Sequence, residues 1–238
     1  MIHGILSSRW LKFFRGHYNI LLICLFVLFI FRPYDRTSVY LGIWKLFLTG
    51  TILSAIFNCN HSRSVKIMQT SLAIPTVLLC WWDLWLHQNW SLITTSFLSI
   101  CFTFLATTSI IYDILTKPRV TFETLKGVIC AYFLVAIGFA YLFWFIEWCI
   151  PGTFAINDAP IALFSYSEYL SEMFYFSFTT LLTIGFGDVV AVQDIGQTAV
   201  IVEGIFGQFY MAILVARLVS SYTLSTQIKL FKKLNHKE

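Results

Sequence analysis

Apolar residues gather into six runs, at 18–31, 38–57, 67–86, 91–115, 127–149 and 195–219, parted by short polar or basic segments. Nothing else in the chain limits its fold so severely. Lipid offers the backbone no hydrogen-bond partner, so a run that crosses it must close its own hydrogen bonds as a helix. The chain is 58% hydrophobic and only 12% charged, where soluble domains carry about 25% charged residues. The expected fold is an all-α integral membrane protein with six transmembrane helices. The first run would cover only ~21 Å of a ~30 Å hydrocarbon core, so Arg15 and Arg32 must snorkel or the bilayer must thin. A basic start and a short apolar core also fit a signal peptide. However, Arg32-Pro33-Tyr34-Asp35-Arg36 follows with no pair of small residues to cleave, which favours a first span.

Of the six cysteines, Cys24, Cys80, Cys101 and Cys130 fall inside apolar runs and read as small hydrophobes. No C-x-x-C spacing suggests a metal site. The bases orient the array. All the Lys and Arg residues except Arg32, Arg36 and Lys45 lie before run one, between two and three, between four and five, or from Arg217 onward. Basic loops stay on the cytoplasmic side, so both termini are expected there. The segment 150–194 holds no base but five acids, Asp158, Glu168, Glu172, Asp188 and Asp194. That puts an acidic face outside, where it would concentrate cations or serve only as a solvated loop.

Between runs five and six lies the polar stretch Thr179-Thr180-Leu181-Leu182-Thr183-Ile184-Gly185-Phe186-Gly187-Asp188. Glycines at 185 and 187 allow φ > 0 at alternate positions, which would turn successive carbonyls the same way. Ser165 and Glu168 fit a capping box opening a helix that runs to Leu182, too short to cross a bilayer. Irregular backbone at membrane depth must be buried or line a wet cavity, so a re-entrant helix and loop are expected.

The pattern T-x-x-T-x-G-F-G-D from Thr180 to Asp188 resembles the selectivity filter of potassium channels. The resemblance implies that carbonyls of Thr183, Ile184, Gly185 and Phe186, with the Thr183 hydroxyl, bind K+ in place of its hydration water. It implies supporting roles at the filter and outer mouth for Thr179, Thr180, Gly187 and Asp188. Phe186 departs from the commoner Tyr, which loses a hydroxyl that could brace the filter against aromatics such as Tyr175 and Phe176. Run six is similar to the inner helix of small prokaryotic potassium channels, in which a glycine lets the helix bend. Gly207 lies at the matching distance, with Gly204 as the other candidate. G-x-x-G also allows close helix packing. Glu203 is an ionisable group inside a span and therefore a functional suspect. The resemblance covers residues 122–221.

Four spans before a pore suggest the plan of voltage-gated channels, but residues 91–115 contain no Lys or Arg to act as gating charges. Lys45 and Asp83 would lie at similar depth and could pair. Pro75 is expected to kink run three. The domains are then 1–119, an N-terminal segment with four spans, 120–220, the pore domain, and 221–238, a short basic cytoplasmic tail able to meet anionic lipid.

The combined expectation is a K+-selective channel in a bacterial inner membrane, working as a homotetramer because one loop supplies a quarter of a ring. Apart from permeant K+, no cofactor and no nucleic-acid partner is expected, and no enzymatic activity. A nonselective cation channel is the alternative. An intramembrane aspartyl protease is the remote one, since Tyr112-Asp113 and Gly185-Phe186-Gly187-Asp188 match its two motifs. Its carboxylates would have to meet, yet these two lie near opposite faces of the membrane.

Overall fold

Apart from Tyr18, which precedes the first helix, each apolar run lies in a helix over its described residues, as a backbone in lipid requires. The computed structural model describes residues 18–30, 38–58, 63–86, 89–116, 121–156, 159–160 and 166–235. In chain order the helices are α1 (Asn19–Ile30), α2 (Ser38–Asn58), α3 (Arg63–Leu86), α4 (Asn89–Thr116), α5 (Phe122–Cys149), α6 (Tyr166–Leu181) and α7 (Asp194–Asn235). Four contain stretches long and apolar enough to cross a membrane: Arg63–Trp82, Trp90–Thr116, Phe122–Cys149 and Asp194–Leu214. The apolar helices Asn19–Ile30 and Ile43–Ile56 are shorter. With 12 residues, α1 covers only ~18 Å. Helix α3 continues through Pro75.

Helix α5 is where the N-terminal helices meet the C-terminal ones. It opens on Thr121, whose hydroxyl accepts the Thr124 N–H at 3.3 Å, while the Thr124 hydroxyl accepts the Thr121 N–H at 3.3 Å. This reciprocal pair satisfies two donors that a helix start leaves open. Helix α4 approaches closely because the contact is small on one side: a Cβ on Gly138 would lie 3.0 Å from Thr103 Oγ1. Ser91, Thr95, Ser99, Thr103 and Thr107, spaced four apart on α4, are all buried. The Thr103 and Thr107 hydroxyls donate to the Ser99 and Thr103 carbonyls at 2.7 Å. Small residues of this kind let helices close up in lipid, where apolar burial alone gives no drive.

Helix α1 is tied at both ends. The Tyr18 hydroxyl donates to Asp113 Oδ2 at 2.8 Å, and its ring fills the space a Cβ on Gly127 would enter. At the far end Phe29 packs edge-on to Phe178 of α6, with centroids 5.0 Å apart. Trp44 on α2 likewise sits edge-on to Phe174 of α6 at 5.6 Å. Two of the N-terminal helices therefore touch α6 directly.

The all-α expectation needs one correction. Strands β1 (Phe154–Ile156), β2 (Ala159–Pro160) and β3 (Val189–Ala191) form an antiparallel sheet in the order β2-β1-β3. Phe154 pairs with Ala191, Ala155 with Val190 and Ile156 with Val189. These strands are two or three residues long, too short to register beside the apolar runs. Residues 221–235, expected as a tail, continue α7 without a break. Asp158, Ser165 and the side chains of Glu168 and Asp83 lie outside the described residues, and with them the expected capping box and the Lys45–Asp83 pair.

Candidate ion pathway

Helix α6 ends at Leu181, and the next residues stay bonded to its last turn. The Thr183 N–H donates to the Thr180 carbonyl at 2.9 Å, and the Ile184 and Gly185 N–H groups donate to the Thr179 carbonyl at 2.8 and 3.3 Å. These are carbonyls that a helix end leaves without partners. The Thr179-Thr180 doublet thus anchors the polar stretch through its backbone, while the Thr179 hydroxyl donates to the Phe176 carbonyl at 3.0 Å.

The backbone then alternates in hand. Thr183 has φ 59°, Gly185 54° and Gly187 81°, whereas Ile184 and Phe186 are not positive. Such alternation turns successive peptide groups the same way. The glycines were legible in the sequence, but the left-handed Thr183 was not. A β-branched residue there is a marked outlier, at a cost of about 1–3 kcal/mol that the surrounding bonds must offset.

Residues 182–187 are exposed in the protomer, with Phe186 69% accessible. Tyr175 and Phe186 stack with centroids 6.4 Å apart and planes inclined by 2°. Phe176, expected beside it, packs elsewhere, 5.4 Å from Phe143 and 5.8 Å from Phe154. The two residues are neighbours in sequence, so on a helix they point about 100° apart and cannot both face the stretch. Asp188 Oδ1 accepts the Val189 N–H at 3.1 Å, at the point where β3 begins. An apolar cavity of about 270 Å³ is lined by Phe29, Phe174, Phe178, Leu182, Ile184 and Phe186 among others.

A family model described as an ion channel matches residues 145–223, from the end of α5 through α6 and the alternating stretch into α7. Over these residues the chain is similar to ion channels. No curated protein and no solved structure matches it.

One face of α7 meets α5 and α6. Glu203 is fully buried and forms a hydrogen bond with Ser177 of α6, whose hydroxyl also lies 2.7 Å from the Ala136 carbonyl of α5. One turn on, a Cβ on Gly207 would come within 2.9 Å of the Leu181 carbonyl oxygen, while one on Gly204 would meet nothing within 4 Å. Helix α7 continues through both glycines without interruption. The Tyr210 hydroxyl donates to the Val128 carbonyl at 2.5 Å, the Tyr132 hydroxyl to the Leu181 carbonyl at 2.9 Å, and the two rings lie 5.6 Å apart. Neither tyrosine was singled out in the sequence. The available signal was a hydroxyl inside an apolar run, which must find a partner when buried.

Glu147 is a further residue the sequence reading passed over. It is buried at the end of α5 and accepts the Gly152 N–H at 2.7 Å and the Phe154 N–H at 2.9 Å. It therefore holds the turn that leads into β1, and through β1 the strand that follows the alternating stretch.

Proposed function

We propose that the chain conducts K+ passively and selectively through a pore shared by four copies. The observation that carries this reading is the alternation of φ sign at Thr183, Gly185 and Gly187 inside T-x-G-F-G-D. Carbonyls of Thr183, Ile184, Gly185 and Phe186, with the Thr183 hydroxyl, would stand in for the water around a dehydrated ion. Thr179 and Thr180 anchor that strand, Gly187 continues the alternation, and Asp188 sits at the outer mouth. Glu172 and Asp194 add to the negative potential there.

One chain offers one strand of such a ring. The exposed Ile184 and Phe186, and the cavity beside them, support further copies packing there as a homotetramer. In this reading all six apolar helices span, α1 with local thinning of the bilayer. Helix α6 is re-entrant and directs its negative end toward the ion path. Both termini are cytoplasmic, in a bacterial inner membrane, and the basic end of α7 meets anionic lipid. Helix α4 carries no Lys or Arg to serve as gating charges, so voltage dependence should be shallow and the N-terminal helices pack around the pore. Gly207 or Gly204 would serve as the bend during opening.

The reading is tested by the reversal potential of reconstituted protein with potassium on one side and sodium on the other. A strongly K+-selective potential is expected. A value near zero would mean a nonselective cation pore, and no current under any condition would remove the channel reading altogether.

A further inference from the structure

We propose that Glu203 is a positioning residue for the filter: as a neutral carboxylic acid it fastens α7 to α6 through Ser177. What it positions rests on the filter reading above, but the fastening itself does not.

Ser177 and Glu203 are both fully buried. The Ser177 oxygen is in hydrogen-bond contact with the Ala136 carbonyl, at 2.7 Å, and with Glu203 Oε1. A serine hydroxyl has one hydrogen to donate and lone pairs to accept with. The backbone carbonyl can only accept, so the serine hydrogen goes to Ala136. The contact to Glu203 then needs a hydrogen from the carboxyl group. The bonds form a directed chain, from the Glu203 O–H to Ser177 Oγ and from the Ser177 O–H to the Ala136 carbonyl, joining α7, α6 and α5.

The remaining oxygen agrees with this. Glu203 Oε2 has no hydrogen-bond partner among the described residues. As the carbonyl oxygen of a neutral acid it loses one weak acceptor contact. As half of a carboxylate it would be a buried charge with no partner among the described residues, which folded proteins avoid. No described Lys or Arg forms an ion pair with Glu203 that would change this assignment.

Position gives the fastening its purpose. Ser177 lies one helical turn before Leu181, and Glu203 one turn before Gly207, which abuts the Leu181 carbonyl. Glu203 and Gly207 thus hold two successive points on the end of α6. Between those points lies Thr179, whose carbonyl accepts the Ile184 and Gly185 N–H groups. A displacement of α7 at Glu203 therefore reaches the residues that carry the ion-binding carbonyls through one short chain of bonds.

Two measurements test this. In reconstituted membranes, Glu203→Leu keeps the bulk and removes the donor, and should lower potassium-over-sodium permeability or open probability at least tenfold. Ser177→Ala breaks the same link from the other side and should do likewise, which guards against a misfolded Glu203→Leu protein. Glu203→Gln keeps a hydrogen to donate and should restore conduction. Wild-type behaviour of both Glu203→Leu and Ser177→Ala, or equal damage from Glu203→Gln and Glu203→Leu, would overturn the proposal. The second measurement needs no conduction. The infrared spectrum of the full chain in lipid should contain a carboxylic-acid C=O band that disappears in Glu203→Gln and shifts in Ser177→Ala. If no such band changes, Glu203 is not the neutral donor. A wild type that fails to prefer K+ would sink the filter reading and leave the infrared band to decide the fastening.

Discussion

Gly207 and Leu181 meet at backbone distance: a Cβ on the glycine would come within 2.9 Å of the leucine carbonyl oxygen and 3.0 Å of its Cδ1. Helix α7 therefore crosses the end of α6 at a point where no side chain fits. Gly204, three residues earlier, has open space around it in the protomer. Overpacking at Gly207→Ala should destabilise the protein by about 1–3 kcal/mol. Gly204→Ala should stabilise it by about 0.5–1 kcal/mol through helix propensity. Thermal unfolding in detergent measures both. Unchanged stability of Gly207→Ala together with a lowered open probability would instead make Gly207 a hinge alone.

Gly185 tests conformation without crowding. Its φ is 54°, and an added Cβ would meet nothing within 4 Å in the protomer. The penalty of Gly185→Ala is thus that of a left-handed non-glycine residue, about 1–2 kcal/mol per chain. In the proposed pore that shift displaces carbonyls, so potassium selectivity or conduction should be lost. Phe186→Tyr retains the backbone and the stack on Tyr175, and should keep the wild-type reversal potential. Unchanged selectivity in Gly185→Ala would place the filter elsewhere.

Glu147 gives a stability prediction. Its two carboxyl oxygens each accept one N–H, from Gly152 and from Phe154. Glu147→Ala leaves both donors unmet, at a cost of about 1–3 kcal/mol for each that stays buried. Glu147→Gln keeps one acceptor oxygen and should lose roughly half as much. Thermal unfolding again measures it, and equal stability of the alanine variant and wild type would mean that water or a neighbouring copy replaces the carboxylate.

Orientation can be read with a native thiol. Cys149 is exposed at the end of α5, while Cys80 and Cys130 are buried. In a Cys59→Ser background, a membrane-impermeant thiol reagent should label Cys149 from outside the cell. Labelling only from the cytoplasmic side would invert the topology, and with it the placement of the acidic segment at the outer mouth.

The helices were legible because their cause is local. A run of apolar side chains must bond its own backbone in lipid, whatever lies beside it, so the apolar parts of α1 to α5 and α7 follow from hydropathy, while the extension of α7 through residues 221–235 does not. The short sheet escaped notice because its partners, Phe154–Ile156 and Val189–Ala191, stand far apart in the chain and neither run is long enough to show a period. Phe176 was misplaced for a similar reason. Composition shows that an aromatic belt exists, but only helix phase assigns Tyr175 to Phe186 and Phe176 to Phe143 and Phe154.

By itself the sequence determined that this chain lies in a membrane and carries an alternating-glycine stretch, because both are set within a window of neighbouring residues. Tertiary structure alone decided what the polar groups inside the membrane do. Glu203 and Ser177 are 26 positions apart, Tyr132 and Leu181 49, and Tyr210 and Val128 82. A buried hydroxyl or carboxyl must find a partner, but its own sequence neighbourhood does not name that partner. The same holds for Thr183: its left-handed backbone persists because the anchors at Thr179 and Thr180 over-determine it, and no local preference of threonine would announce that.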